Sequence, residues 1–203
     1  MIDNYNNLPI GMYLKIRKAV EGDGEDIDKQ VKVVAFLSGK SEDEVLHLPI
    51  SEYSALARKA DFLAGETIDT PVKKEYNVAG WTLIPTTDYR KMETGQYIDF
   101  QAFLPDLDTY LVEFLSTMLV PKGKRYCEGY DVADVQKAIR DHMTMGDAIP
   151  LTAFFFKSLE TSIQDMLNYS ESMAKKLKDK EKRQEMLTKI SKVKEALRKN
   201  GDG

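Results

Sequence analysis

A long helical pattern at the C-terminal end constrains the fold of this chain more strongly than any other feature. From Pro150 onward the sequence holds no further proline, and no glycine before Gly201. Apolar residues recur at alternating spacings of four and three, with Ser170 as a polar gap, at Leu159, Ile163, Met166, Met173 and Leu177. This spacing predicts a long helix that begins at Pro150 and carries one apolar stripe.

The same pattern restarts in a shifted phase after the charged stretch 179–184. Its second part aligns four apolar residues, which are Met186, Ile190, Val193 and Leu197. An unbroken helix of roughly 48 residues would extend about 70 Å, which exceeds the ~30 Å of a small domain. The C-terminal half is therefore expected to project, to fold back as a hairpin or to pack on another chain.

The stretch FLSGKSEDEVLHLPISEYSAL, residues 36–56, predicts two short helices joined by a tight turn. Ser41 and Glu44 have the spacing of a capping box, in which each side chain accepts a hydrogen bond from the other residue's backbone N–H. Pro49 is expected to end the first helix, because proline disfavours helical geometry in the residue before it. Ser51 is then expected to cap the second.

Two segments beside this stretch use β-favouring residues. Residues 26–37 predict a helix capped by Gly39, although the β-branched run 31–34 leaves a strand as an alternative. Residues 72–85 predict a hairpin around Ala79-Gly80, with four inward-facing residues: Tyr76, Val78, Trp81 and Leu83. The fold predicted overall is mainly α with a small β-hairpin, a compact helical domain followed by a long C-terminal helix.

Charge divides the chain into two parts. Residues 1–173 carry a net charge of −10 and residues 174–203 a net charge of +6. This predicts an acidic, mostly helical body and a basic C-terminal helical extension.

The hydrophobic content of 42% suffices for one sizeable core, and a single cysteine, Cys127, fits a reducing compartment. Since neither a signal peptide nor a membrane-spanning segment is visible, we expect a cytosolic protein.

The sequence favours no catalytic, metal or cofactor site. The two histidines, His47 and His142, lie at ligand spacing from neither each other nor Cys127. Cys127 would need a base, for which His142 is the nearest histidine in the sequence, and no glycine-rich phosphate loop is present. We therefore expect a protein that is not an enzyme and binds no cofactor.

Binding to other proteins is the better expectation for the apolar helical surfaces. The three side chains of Phe154-Phe155-Phe156 diverge by ~100° from one residue to the next, so one of them faces a second surface. The predicted partner-binding residues are Phe155, Met173, Leu177, Met186, Ile190, Val193 and Leu197. Nucleic-acid binding by the basic extension is a weaker alternative, because acidic residues interleave with the lysines and no aromatic residues offer stacking. Contact between the extension and the acidic body of another copy would give a homo-oligomer.

Two short segments resemble proteins of tailed bacteriophages. Leu37–Val45, followed by Leu48 and by Glu52–Leu56, resembles a segment of tail assembly chaperones, in which a leucine–small–glycine helix end precedes a short acidic helix. The run Thr94–Phe100 is similar to virion-associated proteins of phages that infect gut Bacteroidetes.

The resemblance implies a non-enzymatic assembly factor, either a tail assembly chaperone or an adaptor. Its expected partners are phage structural proteins, namely tape-measure, tail-tube or neck proteins. It would act in the cytoplasm of the infected bacterial host, or stay in the virion. A virion component such as a neck or connector ring subunit is the first alternative, and a nucleic-acid-binding module using the basic helix is the second.

Overall fold

The structure is a computed structural model that describes residues 1–65, 71–88, 91–176 and 179–201, with side chains up to residue 195. The chain divides into two compact units, Met1–Phe154 and Phe155–Gly203. This division falls before residue 174, where the charge changes sign, because it follows packing and not charge. The predicted fold class is confirmed, since the described chain is mainly helical with one small antiparallel sheet.

Four helices open the first unit: α1 (Ile10–Glu21), α2 (Asp26–Ser38), α3 (Glu42–Leu46) and α4 (Ile50–Arg58). The β-branched run 31–34 is helical, because Val31, Val34 and Ala35 form one face that packs with Val45 of α3 in a buried cluster. Tertiary packing thus overrides the strand preference of these residues.

The caps predicted between α2 and α3 are confirmed. Gly39 ends α2 with a left-handed φ of 71°. The Ser41 N–H donates to the Glu44 carboxylate at 2.7 Å, and the Glu44 N–H donates to the Ser41 hydroxyl oxygen at 3.1 Å. The prediction that Ser51 caps α4 is wrong. The helix already begins at Ile50, and the carbonyl of Pro49 accepts hydrogen bonds from the N–H groups of Glu52 and Tyr53.

The sheet has one strand more than the predicted hairpin. Its strands are β1 (Tyr76–Val78), β2 (Trp81–Pro85) and β3 (Leu119–Pro121), in the order β1-β2-β3. Ala79 and Gly80 both have positive φ, at 46° and 85°, as a two-residue hairpin turn requires. Pairing of β3 with β2 covers an edge that a lone hairpin would leave open.

Three further helices lie wholly within the first unit: α5 (Thr94–Phe103), α6 (Leu107–Met118) and α7 (Val132–His142). Their apolar faces meet the sheet in a core whose fully buried side chains include Leu8, Leu83, Phe100, Phe114, Leu115 and Ile139. Gln96 is the buried polar group that fixes α5, since its amide donates to the carbonyl of Thr117 at 2.8 Å and to the hydroxyl of Thr86 at 3.0 Å.

The last two helices are α8 (Met145–Lys176) and α9 (Lys180–Gly201). The prediction that this element begins at Pro150 is wrong. The carbonyl of Thr144 accepts from the N–H groups of Asp147 and Ala148, so the helix starts before the proline. Asp179 caps α9, because its carboxylate accepts from the N–H groups of Glu181 and Lys182 at 3.0 and 3.1 Å.

Of the three arrangements considered for the C-terminal half, the structure shows a hairpin. Two residues of α9, Ile190 and Leu187, pack with three residues of α8, which are Ile163, Leu167 and Ala174. The stripes predicted from the sequence meet only in part, since Ile163 and Ile190 belong to this core while Met166, Met173, Met186 and Val193 are exposed.

Candidate functional site

The hairpin of α8 and α9 is joined by ion pairs as well as by its apolar core. The Glu171 carboxylate lies 2.7 Å from the ammonium of Lys175 and 2.6 Å from that of Lys194. The Lys194 ammonium also donates to the side-chain oxygen of Asn168 at 3.1 Å. Hydrogen bonds from Lys175 and Lys194 lower the pKa of Glu171 to about 2. Glu171 therefore stays ionised at neutral pH and ties α9 to α8.

A second apolar stripe on each helix is exposed. Met166, Tyr169 and Met173 are exposed on α8, and Met186 and Val193 are exposed on α9. Their spacings of three, four and seven residues align them along each helix. These five side chains are called the hairpin face below.

The two exposed stripes lie on the same side of the hairpin. At ~100° per residue, the exposed stripe of α8 is rotated by about 110° from the buried stripe, and that of α9 by about 80° in the same rotational sense. Because α9 folds back and runs in the opposite direction, an equal sense of rotation places both stripes on one side. The five side chains of the hairpin face thus lie on one side of the hairpin.

Lysines border the hairpin face. Lys182 and Lys189 lie four residues before and three residues after Met186, and Lys176 lies three residues after Met173. Helical spacing puts all three beside the apolar side chains, and all three are exposed. Two acidic residues also lie at this border: Asp165, four residues before Tyr169, and Glu185, whose carboxylate pairs with the Lys189 ammonium at 2.6 Å. The surface therefore combines apolar contact area with positive charge.

The structure separates the predicted partner-binding residues into three groups. Met173, Met186 and Val193 are exposed on the hairpin face. Phe155 and Ile190 are buried, Ile190 within the hairpin core. Leu177 and the side chain of Leu197 lie outside the described part of the chain. In the phenylalanine run the most exposed member is Phe156, and not Phe155.

Sequence reasoning missed two members of the hairpin face, Met166 and Tyr169. Met166 belongs to the predicted apolar stripe of this helix but not to the predicted partner-binding residues, and Tyr169 lies outside that stripe. The signal was present, because Met166, Tyr169 and Met173 also follow the three–four spacing of a helix face. With two apolar faces on one helix, periodicity alone does not tell which face meets the partner helix.

The first unit contains a groove between α1, α2 and α4, with a volume of about 600 Å³. Its floor includes Ile16, Val33 and Val34. At its rim the Arg17 guanidinium pairs with Glu21 at 2.6 Å, and with Asp108 of α6 at 2.6 Å. The groove thus offers aliphatic surface, while its guanidinium is engaged in holding α1 to α6.

The groups weighed as a nucleophile and base are placed on different elements. Cys127 is exposed in a turn after β3, where its N–H donates to the hydroxyl of Tyr130 at 3.2 Å. His142 is the last residue of α7, and the contacts of the described residues do not join it to Cys127. Within the described residues, no three His, Cys, Asp or Glu side chains are grouped to hold a metal ion.

The described helices do not include one that is long and apolar enough to span a membrane. When the chain is compared with protein-family models, curated proteins and solved structures, none of them matches. The hairpin face is therefore the feature of the described structure on which a functional proposal rests.

Proposed function

We propose that this protein is a non-enzymatic assembly factor of a tailed bacteriophage that binds virion proteins through the hairpin face. The observation that carries the proposal is the exposure of five large apolar side chains on one side of α8 and α9. Contiguous exposed apolar surface is rare on soluble monomers and marks sites of protein interaction.

An amphipathic helix is the partner that this surface fits. The groove between two packed helices accepts the apolar face of a third helix, whose side chains enter at spacings of three and four. Three of the five residues of the hairpin face are methionines, Met166, Met173 and Met186. Their flexible side chains adapt to imperfectly repeated partners. A long helical protein with varied repeats, such as a tape-measure protein, has this character.

The assignment to phage assembly is supported by the resemblance of residues 37–56 and 94–100 to phage proteins. Tape-measure, tail-tube and neck proteins are the partners proposed on this ground. The protein would act in the cytoplasm of the infected host as a chaperone or adaptor. Mass spectrometry of purified particles distinguishes this role from that of a neck or connector ring subunit, because a chaperone leaves and a ring subunit stays at stoichiometric copy number.

Affinity capture after co-expression with a candidate tape-measure protein tests the proposal. We expect the wild-type chain to capture the partner and the double variant Met173→Glu + Met186→Glu to capture it at least about tenfold less well, because charge is placed in the centre of the interface. The matched control is Ile27→Glu + Ile98→Glu, which alters two exposed apolar residues of the first unit. The proposal would be contradicted if neither the wild type nor the control captured the partner, or if Met173→Glu + Met186→Glu captured it as well as the wild type.

A further inference from the structure

A second exposed apolar surface lies at the corner between α3 and α4. Among the large apolar side chains that the structure describes, the four most exposed are Ile50 (77%), Tyr169 (68%), Leu46 (66%) and Met166 (60%). Two of these belong to the hairpin face, and the other two, Leu46 and Ile50, lie four residues apart on either side of Pro49. These two surfaces therefore hold the four most exposed large apolar side chains among the described residues, followed by Ile98 of α5 (59%).

Acidic residues border this corner. Glu42 and Asp43 lie four and three residues before Leu46, so helical spacing places them beside it, and both are exposed. Between Ser41 and Ala57 the sequence contains no lysine or arginine. The residues Glu42, Asp43, Leu46 and Ile50 are called the acidic corner below.

The acidic corner and the hairpin face are complementary in both chemistry and charge. Each presents exposed apolar side chains, and the carboxylates that border one match the lysines that border the other. Apolar contact supplies binding free energy, whereas opposite charge selects the partner surface and raises the association rate.

We propose that copies of this chain associate head to tail, with the acidic corner of one copy docked on the hairpin face of the next. Contact between two hairpin faces is disfavoured by comparison, because it would bring the borders formed by Lys176, Lys182 and Lys189 together. A contact between two different surfaces of identical chains is heterologous, so it produces a closed ring or an open chain of copies. This inference does not depend on the proposed function. It means that another copy of the chain occupies the hairpin face until a partner protein binds there.

Two variants remove one surface each without changing charge. The corner variant is Leu46→Gln + Ile50→Gln, and the face variant is Tyr169→Gln + Met173→Gln. All four side chains are exposed, so both variants should fold, which far-UV circular dichroism checks. The matched control, Ile27→Gln + Ile98→Gln, makes the same chemical change at exposed positions outside both surfaces.

Light scattering and sedimentation measure the mass of the species that each variant forms in solution. We expect the wild type and the control to exceed the monomer mass increasingly with concentration, and each surface variant to associate at least about tenfold more weakly. A mixture of the corner variant and the face variant keeps one intact contact and should form a 1:1 complex that grows no further. Raising NaCl from about 0.1 M to about 1 M shortens the screening length from about 10 Å to about 3 Å and should weaken association.

Three results would overturn the inference. The first is a wild-type chain that stays monomeric at every concentration and salt level. The second is a corner variant that associates like the wild type while the face variant does not, because the hairpin face would then meet itself. The third is a mixture of the two variants that stays monomeric. Since the corner variant retains the hairpin face, capture of the tape-measure protein by this variant tests the proposed function separately.

Discussion

Gly146, the second residue of α8, lies close to the N-terminal segment. Among the described glycines it is the one whose added Cβ would have the nearest neighbouring atoms. A Cβ added to Gly146 would lie 2.9 Å from the Cα of Asn6. We expect Gly146→Ala to destabilise the first unit by about 1–3 kcal/mol, because the backbone of the segment must shift to admit the methyl group. Urea unfolding followed by the fluorescence of Trp81 measures this change.

Gly95 provides the matched control, since it also lies in the first turn of a helix, α5. A Cβ at Gly95 would meet no atom within 4 Å. Gly95→Ala should therefore stabilise the fold by about 0.5–1 kcal/mol, the difference in helix propensity between the two residues. If Gly146→Ala were as stable as the wild type, the close approach of the N-terminal segment would be wrong.

Glu171 makes the stability of the hairpin depend on pH. Its pKa in the folded chain is about 2, below the ordinary value of 4.5, because Lys175 and Lys194 donate to it. A lowered pKa gives stability that is present above pH 4.5 and is lost as the pH falls toward about 2. We expect the midpoint of urea unfolding, followed by far-UV circular dichroism, to decrease across this interval.

The variant Glu171→Gln should be less stable than the wild type near neutral pH and should depend less on pH in the acidic interval. Glu160→Gln, at an exposed carboxylate on the same helix, controls for the loss of one negative charge. Equal acid sensitivity of Glu171→Gln and the wild type would assign the acid transition to other carboxylates.

At the scale of elements, the reversal between α8 and α9 depends on the cap at Asp179. Its carboxylate accepts from two backbone N–H groups that otherwise lack a partner in the first turn. We expect Asp179→Ala to destabilise the hairpin by about 1 kcal/mol. Thermal unfolding monitored by circular dichroism at 222 nm measures this, and Asp165→Ala, in the middle of α8, is the control. A control variant that loses as much stability as Asp179→Ala would show that the cap has no special role.

Which elements could be predicted depended on how local their determinants were. The Ser41–Glu44 capping box and the Gly39 cap were predicted from the sequence, because their partners lie within a few residues. Strand β3 was missed, because three residues become a strand only through pairing with β2, more than thirty residues earlier. The start of α8 was placed too late, because the turn before Pro150 is held by Thr144, whose carbonyl accepts from Asp147 and Ala148, and the proline in the second turn removes only one backbone hydrogen bond.

The hairpin face was predicted in part for a similar reason. The spacing of Met173, Met186 and Val193 identified apolar helix faces, but Ile190 follows the same spacing and is buried. Exposure depends on which face each helix turns to its neighbour, and the spacing of apolar residues along one helix does not determine that face.

At the scale of the whole molecule, the two units differ in the size of their cores. The first unit buries residues of α1, α2, α3, α5, α6 and α7, of the start of α8 and of the sheet, whereas the hairpin core consists of a few side chains around Leu167, Ala174 and Ile190. The single tryptophan, Trp81, lies in β2 of the first unit, so its fluorescence reports that unit, while circular dichroism reports all helices. We expect the circular dichroism transition in urea to begin at lower concentration than the fluorescence transition.

Ile190→Ala tests this assignment. Removing the buried side chain should destabilise the hairpin by about 2 kcal/mol and shift the early part of the circular dichroism transition, while the fluorescence midpoint stays unchanged. Ser191→Ala, at the adjacent exposed position, is the control. Coincident transitions that shift together in Ile190→Ala would mean that the two units unfold as one.

The outer strands β1 and β3 contain only three residues each. Edge strands this short offer another chain few free backbone N–H and C=O groups with which to extend the sheet. Growth of this protein into cross-β fibrils from its native state is consequently disfavoured. The fluorescence of an amyloid-binding dye should therefore not increase in concentrated samples. Whatever larger particle its copies build, the joints between them are expected to be side chains of helices.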